Sequence, residues 1–429
     1  MRKIIASVLG LMLWVSEGYA LPSRYDLRDY GRISSVKNQG IPGPCWAFAA
    51  LGAMESNWLT QGLGKTPNFS EMHLAFYAYK GPDKRRTFTP LHSSGTLSLE
   101  GNSFRAAALL LRLAGPVDEK SLPYSTTLTD SQKKALAKKS PESWKRSARL
   151  RDVYFLAGDR TLNDAIKKGL IMQHGAIVVS IYSDPMKYHT RNGHYTYYNP
   201  THGTDTDHVV LLAGWDDDFP RENFSPMPKK NGAWLVKNSW GTMRGSEGGY
   251  FWMSYEQHTW GGTAFVVGKD NPRLKHYGHD ALGFCSALQY SWGANVFKAE
   301  GKRETLKEAA FYAPSNNLNY ELRAYSLGMK TPNSPVGGKL IANTSGRIRL
   351  AGYYTITLPE SVRLNEGEYF SVVLKFSGGY MPVETRVAGY SESAEVNANE
   401  SYFSRDGRTW TDGVRLKANA CIKAYTESR

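Results

Sequence analysis

The stretch QGIPGPCWAF, residues 39–48, carries a cysteine from a turn-rich loop to the start of an apolar segment. Apolar residues recur every four positions from Trp46 to Trp58, which predicts a helix with one apolar face that ends near residues 62–64. The unpaired backbone N–H groups and the dipole at a helix N-terminus favour negative charge. This placement predicts a lowered pKa for the Cys45 thiol, and the thiolate is the nucleophilic form of cysteine.

A cysteine nucleophile needs a base, and His208 is the best candidate in the chain. His208 opens the apolar run HVVLLA, residues 208–213, which predicts a strand whose start holds the ring in place. Asn238 follows a second strand-like run and is suited to accept a hydrogen bond from the imidazole. Trp240 is suited to shield that hydrogen bond from water.

An oxyanion hole is predicted close to the same cysteine. The side-chain amide of Gln39 lies six positions before Cys45 and offers N–H donors. Together with the backbone N–H of Cys45 it would stabilise a tetrahedral oxyanion.

These segments resemble the papain family of cysteine peptidases. The resemblance covers roughly residues 21–269 and rests on VKNQG at 36–40, CWAF at 45–48, DH at 207–208 and KNSWG at 237–241. Four separate motifs in the family's order make a specific signal. The resemblance implies an α+β fold with a helical lobe and a β-barrel-like lobe. It also implies peptide-bond hydrolysis through a Cys45 thioester, without a cofactor or a metal ion.

Two sets of site residues follow from this interpretation. The catalytic set comprises Cys45, His208, Asn238 and Gln39. The substrate-binding set comprises Gly101, Asp207 and Trp240, although a structural role is an equal alternative for Asp207. Gly101 belongs to this set because EGN, residues 100–102, resembles the loop whose glycine backbone pairs with substrate in the family.

The sequence departs from the family pattern around the cysteine and in one later loop. Pro42 stands where family members usually have a disulfide-bonded cysteine, and Pro44 replaces a small residue. Residues 216–230 form an acidic, proline-rich insertion that is expected to loop out from a hairpin.

The C-terminal part has a different pattern. Residues 271–429 contain strand-like runs and a hairpin signal at Asp406-Gly407, which predict an all-β sandwich after a peptidase domain at 21–270. Runs such as ANVF at 294–297 resemble the lectin-like β domain of some bacterial papain-like peptidases. This resemblance implies a glycan or cell-surface ligand. The candidate sugar-stacking residues are Trp292, Tyr380 and Trp410, for which packing in the core is the alternative.

Residues 1–20 combine a positive start, an apolar run and small residues before Leu21, which is typical of a cleaved signal peptide. An uncleaved anchor is the alternative. The pattern predicts an exported protein (periplasmic, secreted or held at the cell surface), and no later stretch is long enough to span a bilayer. The mature-like start directly after Ala20 predicts that no inhibitory propeptide intervenes. The C-terminal domain is then a candidate for restraint or targeting.

Cysteine usage and charge limit the remaining possibilities. Cys285 and Cys421 either form a disulfide or remain as two buried thiols. The net charge is +14, but the basic residues are dispersed and no nucleic-acid motif is present, so peptide or protein substrates are expected. Two other functions are open. One is a catalytically idle peptidase fold whose β domain binds glycans or a surface partner, and the other is a transpeptidase or amidase that uses the same thioester.

Overall fold

The computed structural model describes residues 21–40, 43–78, 101–156, 160–201 and 205–428 of the 429-residue chain. The predicted signal peptide at residues 1–20 and the proline at position 42 lie outside the described residues. Among the helices in those described ranges, none is long and apolar enough to cross a membrane.

The helices lie mainly in the first half of the chain. Those in the described residues are α1 (Cys45–Thr60), α2 (Glu71–Tyr77), α3 (Ser103–Leu111), α4 (Asp130–Ala137), α5 (Arg160–His174) and α6 (Gly413–Leu416). The first nine strands are β1 (Arg24–Asp26), β2 (Arg149–Leu156), β3 (Ile177–Ile181), β4 (Tyr188–Arg191), β5 (His194–Tyr197), β6 (His208–Asp216), β7 (Ala233–Lys237), β8 (Tyr250–Ser254) and β9 (Trp260–Gly268).

The remaining strands form the C-terminal part. They are β10 (Leu274–Gly278), β11 (Ser286–Leu288), β12 (Trp292–Lys298), β13 (Arg303–Ala313), β14 (Leu318–Gly328), β15 (Lys339–Ile348), β16 (Gly352–Asn365), β17 (Tyr369–Phe376), β18 (Met381–Thr385), β19 (Ser401–Ser404), β20 (Thr411–Asp412), β21 (Ala418–Ala420) and β22 (Ile422–Ser428). The Asp406-Gly407 signal lies in the turn between β19 and β20, which pair as predicted.

Helix α1 is the centre of the N-terminal part. It is buried continuously from Trp46 to Asn57, against β6 and β9 on one side and α2 and α3 on another. The prediction of a single apolar face is therefore wrong, because a helix surrounded by packed elements is buried all round. The helix itself is confirmed, and its first residue is Cys45.

The β6–β7 hairpin brings distant parts of the sequence together. In the antiparallel register Leu211 pairs with Lys237, so the chain after Lys237 runs back toward His208 at the start of β6. The sequence predicted that the insertion between the two strands loops out, but part of it packs against the core. Phe219 and Phe224 are buried, and Phe219 stacks on Trp252 with ring centroids 4.6 Å apart.

The C-terminal part is an all-β unit whose sheets pack face to face. One sheet has the order β15-β14-β17-β12-β19-β20, and a smaller one has the order β11-β18-β21. The remaining C-terminal strands belong to a large sheet that packs on β17 through aromatic pairs. Phe311 contacts Phe376 at 5.5 Å between ring centroids, and Tyr277 contacts Phe370 at 5.4 Å.

The large sheet is shared between the two parts of the chain. Its order is β10-β22-β13-β16-β2-β9-β3-β6-β7-β8-β5-β4, with β1 paired to β6. The junction is the pairing of β16 with β2, and an ion-pair cluster reinforces it. Glu308 forms ion pairs with Arg149 at 2.6 Å and with Arg151 at 3.3 Å. The sequence did not predict this continuity, because strand pairing across 200 residues leaves no local pattern.

Cys285 and Cys421 are free thiols in the structure, so the predicted alternative of a disulfide between them is not realised. Cys285 directly precedes β11 and Cys421 directly follows β21, and β18 pairs with both strands from opposite sides. Two strand spacings amount to about 9.5 Å. A disulfide needs Cα atoms roughly 4.4–6.8 Å apart.

Glu308→Gln tests the junction between the two parts. Arg149 is largely buried, and the substitution leaves its cation without the paired carboxylate. We expect the free energy of unfolding to fall on the order of 3 kcal/mol, measured from urea denaturation. Glu366→Gln, at an exposed position, is the matched control and should change stability by less than about 0.5 kcal/mol. Equal stability of the two variants would contradict a structural role for this ion pair.

Candidate active site

The imidazole of His208 is held by the side chain of Asn238. Nε2 of His208 lies 2.9 Å from Oδ1 of Asn238, and both residues are buried. The backbone N–H of Ser239 donates to the same Oδ1 at 2.8 Å, which identifies that atom as an acceptor. His208 therefore donates through Nε2, and its Nδ1 is left for proton exchange with a nucleophile.

Trp240 covers this hydrogen bond. Its ring stacks on the His208 ring with centroids 4.8 Å apart and planes 21° from parallel. The guanidinium of Arg244 lies 5.0 Å from the centre of the Trp240 ring, on which it forms a cation–π contact. The structure thus places Trp240 where the sequence suggested a shield, and an aromatic cover lowers the access of water to the His208–Asn238 pair.

Cys45 begins α1, is half-buried, and lies beside the start of β6. Burial raises the pKa of its thiol, while backbone N–H groups of Val209 and Trp46 act in the opposite direction. Desolvation of the thiolate outweighs the stabilising effect of the helix N-terminus, so the predicted lowering of the Cys45 pKa is wrong for the site with a neutral His208. The contact with Val209, the residue after His208, brings the cysteine and histidine segments together.

Burial also lowers the pKa of His208, and Asn238 and the carboxylate of Asp207 oppose this shift. Each group of the Cys45–His208 pair thus resists charge when it ionises alone. A proton moved from the thiol to the imidazole creates both charges together, and each charge then offsets the desolvation of the other.

Gln39 is held by several contacts around the cysteine loop. Its Oε1 accepts from Oγ of Ser239 at 2.6 Å, and its backbone carbonyl accepts from the hydroxyl of Tyr124 at 2.6 Å. Ser239 and Tyr124 did not appear among the predicted site residues. Ser239 lies within the KNSWG motif and had a local signal, whereas Tyr124 is 85 positions from Gln39 and had none.

The two predicted oxyanion donors converge on one atom of the chain itself. Nε2 of Gln39 donates to the carbonyl oxygen of Gly43 at 3.3 Å, and the backbone N–H of Cys45 donates to the same oxygen at 3.0 Å. The second bond closes an inverse γ-turn on Pro44, with φ −80° and ψ 68°. A Cβ on Gly43 would lie 2.7 Å from the Gln39 carbonyl oxygen, so glycine is needed for this approach.

A buried charge cluster ties the elements of the site to α1. Glu55, fully buried in that helix, accepts from Ser34 at 2.6 Å, from Lys37 at 2.9 Å and from the backbone of Phe69 at 2.8 Å. Ser34 in turn accepts a hydrogen bond from Nζ of Lys237 at 3.0 Å. Burial lowers the pKa of Lys237 to about 8, while carboxylates of the cluster oppose the shift.

The two other predicted substrate-binding residues contact different segments of the chain. Asp207 is exposed, and its Oδ1 accepts from the backbone N–H of Ser183 at 2.7 Å, which gives it a structural contact. Gly101 lies against the indole of Trp46, because a Cβ there would be 2.3 Å from Cε2. The structure therefore brings Cys45, His208, Asn238, Gln39 and Trp240 together. Asp207 precedes His208 directly, and Gly101 contacts the neighbour of Cys45.

Residues 21–267 match the sequence model of the papain family of cysteine proteases, which is more than half of the chain. The chain belongs to the papain family. Residues 276–426 match a lectin-like domain. The papain-family match and the two-part architecture confirm the predicted fold class.

Similar proteins combine the same two domains or share the first. The clostridial cysteine protease Cwp84 after propeptide cleavage is 25% identical, with a TM-score of 0.79 over 95% of this chain and 100% of that one. The protease and lectin-like domains of Cwp84, described as a surface layer associated protein of Clostridium difficile, are 24% identical, with a TM-score of 0.78 over 99% of this chain and 97% of that chain.

Curated relatives match the papain-family part alone. A probable cysteine protease of Arabidopsis thaliana is 29% identical over 54% of this chain and 56% of its own length. Procathepsin L of Mus musculus is 28% identical over 53% of this chain and 59% of its own length. The chain thus spans somewhat more than half the length of these relatives.

Asp207→Asn should move the pH profile of peptide hydrolysis to lower pH on both limbs. The Asp207 carboxylate raises the pKa of the Cys45 thiol and that of His208, so its neutralisation lowers both. The two limbs of kcat/KM against pH report the pKa values of these two groups, so both limbs follow the change. Asp205→Asn, two positions away and also exposed, is the control. An unmoved profile, or one displaced to higher pH, would show that Asp207 does not act on the pair.

Pro44→Ser should raise kcat/KM roughly fivefold. Proline favours the φ of the inverse γ-turn, and serine relaxes it, so the Cys45 N–H is less tightly held by the Gly43 carbonyl. One neutral hydrogen bond has a net worth of about 1 kcal/mol, which corresponds to this factor. Steady-state kinetics measure the change. The gain should persist when Gln39→Ala is added, because the Cys45 N–H is a separate donor. A loss of activity in Pro44→Ser alone would indicate that the turn assists catalysis.

Proposed function

We propose that this chain is an exported cysteine peptidase that hydrolyses peptide bonds through a thioester at Cys45. The observation that carries the proposal is the His208–Asn238 hydrogen bond of 2.9 Å beside the half-buried thiol that begins α1. Membership of the papain family supports the same chemistry. The domain division near residue 270, between β9 and β10, belongs to this proposal.

In the acylation step, the thiol proton of Cys45 passes to Nδ1 of His208 and the sulfur attacks the substrate carbonyl carbon. The imidazolium then gives its proton to the leaving amine as the C–N bond breaks. In the deacylation step, His208 takes a proton from water and the hydroxide attacks the thioester carbon. The C–S bond then breaks, the carboxylic acid product leaves, and the imidazolium returns the proton to the sulfur of Cys45. Asn238 keeps the ring in the orientation and tautomer that both steps need.

The oxyanion would be stabilised by Nε2 of Gln39 and the backbone N–H of Cys45. Both donors already converge on one oxygen, that of Gly43, so their geometry suits a single oxygen acceptor. A substrate carbonyl has to replace the Gly43 carbonyl at this point. The hydrogen bond from Gln39 to Gly43 is long, at 3.3 Å, so losing it in that exchange costs little free energy.

The C-terminal domain supports a second part of the proposal, the binding of a glycan or another cell-surface partner. It matches a lectin-like domain, and the similar Cwp84 is described as associated with a surface layer. Tyr380 is 52% exposed and remains a candidate for stacking on a sugar. Trp292 is less suited, because Arg323 and Lys375 lie 5.3 and 5.1 Å from its ring and the Gly407 turn covers it.

The test of the peptidase is hydrolysis of fluorogenic dipeptide amides by residues 21–429 under reducing conditions. Cys45→Ala should reduce turnover to the background of the assay, because the substitution removes the nucleophile. Cys285→Ala removes a second half-buried thiol outside the site and should leave turnover unchanged.

Two results would redirect the proposal. Folded protein with no turnover and no labelling of Cys45 by a thiol-directed inhibitor would favour a catalytically idle protein that acts through its β domain. Products that carry an added amine, when an amine competes with water, would indicate a transpeptidase.

A further inference from the structure

Helix α3 of the peptidase domain is held along its whole length by the C-terminal domain. Phe104 near its start packs edge-on against Phe284, with centroids 6.0 Å apart. In the middle, Gly283 lies so close that a Cβ there would be 2.8 Å from Cβ of Ala108. At the end, the hydroxyl of Tyr425 donates to the carbonyl of Leu111. These contacts make one face of the helix part of an interdomain interface.

The most specific contact is made by Arg105 in the first turn of α3. Its Nη2 donates to the backbone carbonyl of Tyr390 at 2.8 Å and to that of Gly389 at 3.5 Å. Its guanidinium also lies 4.1 Å from the centre of the Tyr390 ring. Arg105 is only 5% exposed, so these acceptors and this ring replace water around a largely desolvated cation.

The loop that receives Arg105 is closed by its own hydrogen bonds. Oγ of Ser391 donates to the carbonyl of Thr385 at 2.6 Å and accepts from the backbone of Val387 at 3.2 Å. The backbone N–H of Gly389 donates to Glu392 at 2.7 Å. The loop therefore presents its carbonyl groups in a set geometry and does not need to be ordered by Arg105.

A short path leads from this contact to the cleft. Asn102 caps α3, and its Oδ1 accepts from the backbone N–H of Arg105 at 3.1 Å. Gly101 precedes Asn102 directly and lies against the indole of Trp46, the neighbour of Cys45. A displacement of the first turn of α3 would therefore move Gly101 relative to the thiol.

We propose that the C-terminal domain is a positioning element of the substrate cleft. The loop of residues 385–392, here called the Tyr390 loop, holds Arg105 and thereby sets the position of Gly101. The inference rests on the proposed peptidase function, because Gly101 is expected to pair with the backbone of an extended substrate. Arg105 and Tyr390 are positioning residues, since they act through Asn102 and Gly101 and do not touch the reacting atoms.

Tyr390→Ala in the full chain tests this inference with two substrates. With Gly101 as the backbone partner of an extended substrate, a dipeptide amide is expected to contact it, and an ester of a single amino acid is expected to be too short. We expect the variant to raise KM for the dipeptide amide roughly tenfold, because a small misplacement of a positioning group has an effect of this order or larger. Turnover of the single-residue ester should change less than twofold, because Cys45, His208 and Asn238 are unaffected.

Three further variants make the result specific. Tyr390→Phe retains the ring that faces Arg105 and should restore the wild-type KM. Arg105→Lys retains the charge without the planar guanidinium, and should behave like Tyr390→Ala. Arg151→Ala removes a different interdomain contact, the one with Glu308 at β2, and should leave both substrates unchanged.

Hydrogen exchange provides a readout that does not need activity. Backbone amides of residues 103–111 should exchange faster in Tyr390→Ala than in the wild-type chain or in Arg151→Ala. Equal loss on both substrates, or unchanged KM together with unchanged exchange, would overturn the inference. Absence of turnover in the wild-type chain would overturn the proposed function instead, and exchange would still decide whether the C-terminal domain holds the first turn of α3.

Discussion

A carboxylate at the centre of a buried helix is the constraint on which the candidate site depends. Glu55 has no exposed surface and accepts hydrogen bonds from Ser34, Lys37 and the backbone of Phe69. Lys37 lies two positions before Gln39, and Ser34 also receives Lys237, which directly precedes Asn238. A buried charge is stable only when it is paired and hydrogen-bonded, so separating these partners would cost free energy. The same helix begins at Cys45, and the cluster therefore sets the relative places of three predicted catalytic side chains.

The chemistry around the thiol is governed by desolvation. Burial acts against charge on Cys45 and on His208 separately, while the backbone N–H of Val209 and the side chain of Asn238 act in favour of it. The two oxyanion donors are both engaged by the Gly43 carbonyl through the turn at Pro44. The site thus combines donors that already converge on one oxygen with two groups that burial keeps uncharged. An incoming carbonyl would meet a preorganised environment once it replaces the Gly43 oxygen.

The C-terminal part shares its scaffold with the papain-family part and is not a separate attachment. Strand β16 extends the sheet that contains β6 and β7, and Glu308 supplies the counter-charge for Arg149 of β2. Helix α3, which begins two residues after Gly101, contacts residues that follow it by 170 positions or more. Two-domain enzymes with small polar interfaces are expected to move as separate bodies, whereas a shared sheet and a buried ion pair restrict such motion.

Local patterns in the sequence predicted the candidate site residues and the order of the elements, whereas the contacts between those elements depend on how distant segments pack together. The three site residues lie in local patterns: a cysteine at a helix start, a histidine at a strand start and an asparagine after the next strand. Each pattern could be predicted from a few neighbouring residues. The two-part fold was readable for the same reason, because helix and strand periodicities are local. Three features could not be predicted from the sequence. They are the direction of the thiol pKa shift, the separation of Cys285 from Cys421 by β18, and the contact of Arg105 with Tyr390. Desolvation and long-range pairing arise only when distant segments pack together, and no local pattern records which segments will meet.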